Sequence, residues 1–218
     1  MVCFVIVLVL WVFSVCLHEF AHAWAAERGG DYTVREKGYL DLNPIRYANP
    51  VSSLLFPVLC LLLGGIGLPG GAVYINRALL KSRGWDSWVS LAGPLANLWL
   101  AALIAFLFRF EILPHNSTSL ASISLAFLGQ LQVYSILLNL LPLPPLDGFQ
   151  ALAPWLPSPV REAGYAAANA SMIILFLALW NVAAIGGAFM DATALGMHLL
   201  GIPIDLAIAG YREFRFWN

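Results

Sequence analysis

The sequence predicts an α-helical polytopic membrane protein, with about five to six transmembrane helices, a re-entrant element and a short membrane-associated β segment. Three observations point there. Of the 218 residues, 61% are hydrophobic and only 11% are charged, against about 25% charged in a soluble domain. Mean hydropathy is +0.81. Apolar runs of spanning length recur along the chain, separated by short polar stretches. The length suits one domain over residues 1–218, with a core in about 1–150 and further helices in about 160–218. A net charge of −1 points to the lipid bilayer as partner and not to nucleic acid.

The first span covers about residues 2–26. It has no basic n-region, since the first Lys or Arg is Arg28, and no small-x-small cleavage site, so it reads as a retained span and not a signal peptide. A charged stretch follows, with Arg28, Arg35, Lys37 and Arg46. Within it Tyr32-Thr33-Val34 and Gly38-Tyr39-Leu40-Asp41-Leu42 alternate weakly, as strands do. Residues 51–75 are apolar but broken by Pro57, Gly64, Gly65, Gly67, Pro69, Gly70 and Gly71, which suits an element that enters and leaves on one side. Further spans are expected at about 85–108, 120–141 and 165–189. The segment 192–210 holds His198, Pro203 and Asp205, and either spans or lies in the interface. The cysteines Cys3, Cys16 and Cys60 lie in apolar segments without CxxC spacing and read as small buried hydrophobes.

His18-Glu19-Phe20-Ala21-His22 falls inside the first span. Residues four apart on a helix differ by about 40° in direction and about 6 Å in height, so both imidazoles can hold one Zn²⁺. Glu19 points about 100° away, as suits a general base for a metal-bound water. Ionisable groups cost roughly 2.5–3.5 kcal/mol each at mid-bilayer, and a buried metal supplies a reason for three of them. The expectation is a zinc peptidase with its site in the membrane. A catalytic zinc normally takes three protein ligands. His115, His198, Asp147 and Asp205 are the remaining candidates. Asp147 leads, because it follows prolines at the end of a span and precedes Gly148, which permits close backbone approach. A turn aspartate that caps a helix is the competing reading.

These residues resemble the site-2 proteases, which are intramembrane zinc metallopeptidases. The His18–His22 motif resembles that family's HExxH helix. Asn139-Leu140-Leu141-Pro142-Leu143-Pro144-Pro145-Leu146-Asp147-Gly148 resembles its Leu-Asp-Gly motif. Gly38-Tyr39-Leu40-Asp41-Leu42-Asn43-Pro44 resembles its β segment, and Ala92-Gly93-Pro94-Leu95-Ala96-Asn97 its Gly-Pro-x-x-Asn helix start. The match covers roughly residues 10–150. The resemblance implies one Zn²⁺ per chain on His18, His22 and Asp147, Glu19 as catalytic acid/base, and Asn139 on the substrate backbone; an interhelical hydrogen bond is the other role open to Asn139. It implies regulated cleavage of a transmembrane protein or peptide substrate. Residues 70–76 depart from the family, lacking the Lys-Pro of its Trp-Ala-Lys-Pro-Val-like strand. The loops are too short for a PDZ domain, and no CBS-like domain is expected.

Basic residues after span one and around Arg77, Lys81 and Arg83 put that side in the cytoplasm; the expected location is a bacterial or archaeal cell membrane. Parity then brings Asp147 to the side of His18 and His22. Two other readings use the same residues: a catalytically inactive binding protein of this fold, and a membrane zinc carrier. The intact set His18, Glu19, His22 and Asp147 argues against the first. The gathering of polar groups at one depth argues against the second.

Overall fold

The computed structural model describes residues 1–42, 73–116 and 118–217. In chain order its α-helices are α1 (Val2–Gly29), α2 (Thr33–Glu36), α3 (Arg83–Arg109), α4 (Leu120–Asn139), α5 (Asp147–Leu152), α6 (Ser158–Asn181), α7 (Ala183–Leu200) and α8 (Ile204–Phe214). Five of them, α1, α3, α4, α6 and α7, are long and apolar enough to cross a membrane. The chain is a helical membrane protein, as its composition predicts.

Local chemistry explains where the helices start and stop. Gly30 takes the left-handed conformation at φ 117 that ends α1. Ser82 Oγ accepts from Trp85 N–H at the start of α3, and Ser119 Oγ accepts from Ser122 N–H at the start of α4. Gly201, at φ 78, closes α7. Tryptophans gather at the C-terminal end of α1 and the N-terminal end of α3, where Arg28 stacks over the Trp24 ring at 3.9 Å. Such belts mark the membrane–water boundary.

α1, α3 and α4 form the inner bundle. Trp11, Phe108, Phe127 and Leu131 are fully buried between them, and α8 closes one end through Phe214. Gly210 permits that closure, because a Cβ there would stand 2.1 Å from the Ile123 carbonyl oxygen. α6 and α7 lie outside this core. Ile173, Ile174, Leu177 and Leu195 are each more than half exposed, and lipid is the solvent that such faces suit.

Several expectations are corrected. Thr33–Glu36 is a helical turn, and residues 37–40 are turns. The β segment expected across residues 32–42 is therefore absent, and no strand is found among the described residues. Asp31 decides this locally: its Oδ1 accepts from Thr33 N–H at 3.1 Å and from Thr33 Oγ1 at 2.6 Å, which favours a turn over a ladder. The re-entrant element expected at 51–75 lies mostly outside the described residues, as do Asn43, Pro44 and Cys60; Val73, Tyr74 and Ile75 belong to no helix or strand. Gly93 and Pro94 sit inside α3 and not at a helix start. The span expected at 165–189 is broken at Val182 (φ −105, ψ 97), where α6 ends and α7 begins. The segment 192–210 divides into the end of α7 and most of α8.

Candidate metal centre

His18 and His22 project from the second half of α1 into the bundle. His18 lies about 24 Å along the helix from Val2 and about 17 Å from Gly29, at about 1.5 Å per residue. Both rings are buried, and Glu19 is 3% exposed. Asp147 opens α5 just beyond the C-terminal end of α4. Antiparallel packing of α1 and α3, and the return of α4, bring these groups to one end of the bundle.

The donor atoms converge. His18 Nε2 and His22 Nε2 are 3.0 Å apart. Asp147 Oδ2 is 3.3 Å from the first and 3.4 Å from the second. Zinc donors at 2.0–2.2 Å in a tetrahedron stand about 3.3–3.6 Å from one another, so the three atoms form close to one face of such a site. Among the described residues this is the group of His, Cys and acidic side chains that could hold a metal. Asp147 Oδ2 is buried and takes no hydrogen bond, which leaves its lone pairs for a cation. Burial pushes the Asp147 carboxyl up, but the adjacent His22 and His18 rings outweigh burial and hold it well below the usual carboxylate range.

Gly93 makes the space. A Cβ at this position would stand 2.3 Å from His22 Nε2 and 2.5 Å from His18 Nε2. α3 therefore offers a bare backbone face to the three donors. Pro94 removes the N–H that would bond the Ser90 carbonyl and loosens this turn. On the same turn the Val89 carbonyl meets His22 Nδ1 at 2.7 Å. That contact fixes the ring so that Nε2 faces the metal position. Gly148 is needed for α5, since a Cβ there would stand 2.3 Å from the Leu140 carbonyl oxygen. Ser87 on α3 ties the end of α5 in place, donating to the Ala151 carbonyl at 2.6 Å and accepting from Trp155 Nε1 at 2.8 Å.

Glu19 stands beside the donors. Its Oε2 accepts from Val73 N–H at 3.1 Å, so the strip at residues 73–76 forms one wall of the site. Asp31 anchors that strip, its Oδ2 accepting from Asn76 N–H at 2.7 Å. A cavity of about 290 Å³ opens between these elements, lined by Glu19, Val73, Ile75, Asn139, Asp147 and Met172 among others. Asp31→Ala is expected to cost about 1 kcal/mol, because it strands the part-buried N–H groups of Thr33 and Asn76. It should also lower activity while leaving bound metal unchanged. Thermal unfolding in detergent, with metal content and turnover alongside, checks this; unchanged turnover would show that the strip holds without Asp31.

All five residues singled out from the sequence, His18, Glu19, His22, Asn139 and Asp147, line this one cavity. His115, His198 and Asp205 do not join them. They line a separate pocket at the end of the bundle closed by α8. Sequence reasoning did not single out Val73, Asp31 or the Val89 carbonyl. Two of these act through backbone atoms, which carry no residue signature, and Asp31 reads as an ordinary loop acid.

Comparison with known proteins finds relatives named as zinc metalloproteases. The "Putative zinc metalloprotease Rip2" of Mycolicibacterium smegmatis is 42% identical over 215 residues, 99% of this chain and 82% of the relative. The protein of the same name in Mycobacterium tuberculosis is 41% identical over the same shares. The "Putative zinc metalloprotease YwhC" of Bacillus subtilis is 35% identical over 175 residues, 78% of this chain and 77% of the relative. No protein-family model matches the chain, and no solved structure matches it.

Proposed function

The chain belongs to the site-2 protease family, and on that premise we propose that it is a zinc endopeptidase that cleaves membrane-embedded protein substrates in regulated intramembrane proteolysis. The observation that carries this reading is the convergence of His18 Nε2, His22 Nε2 and Asp147 Oδ2 inside a membrane helix bundle, with the Glu19 carboxyl beside them. These three atoms would hold the Zn²⁺. Zinc, when bound, polarises the scissile carbonyl and lowers the pKa of its water to about 7.

The remaining chemistry belongs to side chains and backbone. The Val73 N–H holds Glu19 Oε2, which leaves Oε1 to take the proton of the attacking water and return it to the leaving amine. Asn139, buried at the rim of the cavity, can donate to a substrate carbonyl and accept from a substrate N–H. A helical substrate hides its carbonyls in i→i−4 bonds, so it must unwind before cleavage. Residues 73–76 supply an edge for the unwound chain. Backbone groups alternate in direction along an extended strip. Val73 N–H faces Glu19, while Asn76 N–H faces Asp31 and the Tyr74 carbonyl accepts from Lys37 Nζ at 3.3 Å. The same alternation would turn the Ile75 N–H and C=O toward the cavity that Ile75 lines, and among the described residues they take no hydrogen bond. They form one rung for an added substrate strand.

Orientation follows from charge. Arg28, Arg35, Lys37, Arg77, Lys81, Arg83 and Arg161 flank the metal-site end of the bundle, while Arg109, Arg212 and Arg215 flank the other. By the positive-inside rule the site would face the cytoplasm. Zinc content and cleavage of a single-span substrate, measured together in liposomes, test the function. Wild type is expected to hold about one zinc and to cleave. Glu19→Gln is expected to keep the zinc and lose roughly 10²–10⁴ in turnover. A Glu19→Gln protein that cleaves normally would overturn the general-base role, and a wild type without zinc would overturn the whole reading.

A further inference from the structure

Besides Asp147 Oδ2, the buried side-chain atoms that take no hydrogen bond among the described residues include His18 Nδ1 and Gln132 Oε1. Gln132 lies on α4, is 1% exposed, and faces α1. Its Nε2 donates to Ser14 Oγ at 3.1 Å. Ser14 Oγ donates in turn to the Trp11 carbonyl at 2.7 Å. Because the one Ser14 proton is used there, Ser14 can only accept from Gln132. The amide is thereby held with its nitrogen on Ser14 and its oxygen free.

Ser14 precedes His18 by four residues, so the two share a face of α1 one turn apart. Helical side chains lean toward the N-terminus, which carries the His18 ring over the Ser14 turn. Histidine that gives Nε2 to a metal bears its proton on Nδ1, and that N–H ordinarily goes to an outer acceptor that fixes tautomer and ring angle. For His22 the Val89 carbonyl fills this place. Among the described residues His18 Nδ1 has no such partner from backbone or side chain.

We propose that Gln132 is the positioning residue for His18, its Oε1 accepting the Nδ1–H proton through one buried water. Such a water needs two to four polar partners in a closed polar niche. His18 Nδ1 and Gln132 Oε1 supply two. This inference rests on the assignment of His18 as a metal ligand. It makes Gln132 more than an interhelical fastener: the residue sets ligand basicity and ring orientation from a different helix.

The test uses the full chain in detergent, stripped of metal and titrated with zinc against a chelator of known affinity, with the visible spectrum of the cobalt-substituted protein as a second readout. Gln132→Met keeps the volume and removes the acceptor. It is expected to weaken zinc about 10–100-fold and to shift the cobalt bands. Gln132→Glu restores an acceptor, and affinity is expected to return to wild type or better. Ser14→Ala releases the amide and is expected to weaken zinc by less, in the same direction, which keeps the test open if Gln132→Met does not fold. Wild-type affinity in both Gln132→Met and Ser14→Ala overturns the inference. So does equal weakening in Gln132→Met and Gln132→Glu, which would mark a packing effect. A wild type that binds no zinc overturns the ligand assignment as well, whereas zinc-loaded wild type beside an unmoved Gln132→Met overturns this inference alone.

Discussion

Gly93→Ala is expected to fold and to lose its metal. Alanine is the better helix former by about 1 kcal/mol, and Gly93 lies within the long helix α3, so helix formation is not harmed. The new methyl would stand 2.3 Å from His22 Nε2 and 2.5 Å from both Cε1 and Nε2 of His18. Contacts that short do not persist, so one or both rings must turn away. The three donor atoms then no longer converge. Zinc content is expected to fall from about one per chain to near none. Activity should drop by more than the ~10–100-fold that loss of an outer-shell partner costs. Elemental analysis, circular dichroism and a cleavage assay on one preparation check this. A folded Gly93→Ala protein with full zinc would mean that the rings face away from α3.

Asp147→Ala is expected to separate binding from folding in a different way. It removes one of three donors and leaves His18 and His22 in place on α1. The side chain makes no cap at the start of α5, so its loss does not unravel that turn. Gly148, Ser87 and Trp155 still hold α5 against its neighbours. Zinc affinity should fall by more than ~100-fold, beyond the range for outer-shell partners, and apo-protein stability by no more than the lost pairing of Asp147 with His18 and His22. Competition with a chelator measures the first, and thermal unfolding of the stripped protein the second. Zinc bound as tightly as in wild type would remove Asp147 from the ligand set. A large loss of stability would favour the capping role considered from the sequence.

Much of the helical architecture is legible in the chain. The apolar runs of α1, α3 and α4 announce themselves by length and composition, because a bilayer core demands about 20 apolar residues in helical form. The break at Val182 is not legible in the same way. Residues 165–189 carry no charged side chain, and hydropathy cannot distinguish one span from two helices meeting at a bend. The weak alternation at residues 32–42 fails for a different reason. Strand propensity is a preference for a pleated, half-buried surface, and the Asp31 carboxylate offers Thr33 a turn instead.

The site divides along the same line. His18, Glu19 and His22 are readable because their spacing matches the helical period, so local geometry alone puts them on one side of α1. Asp147 is readable as a rare carboxylate beside Pro-rich turns, although 125 residues separate it from His22 in the numbering. What the amino-acid order determined by itself is therefore a membrane helix bundle with a zinc-type motif inside it. Tertiary structure alone decided the remainder: the bare face at Gly93, the Val89 carbonyl behind His22, the Val73 N–H on Glu19 and the Gln132 amide on Ser14. Backbone atoms and empty space have no residue code. They acquire a role only when packing brings one helix within a few ångströms of another.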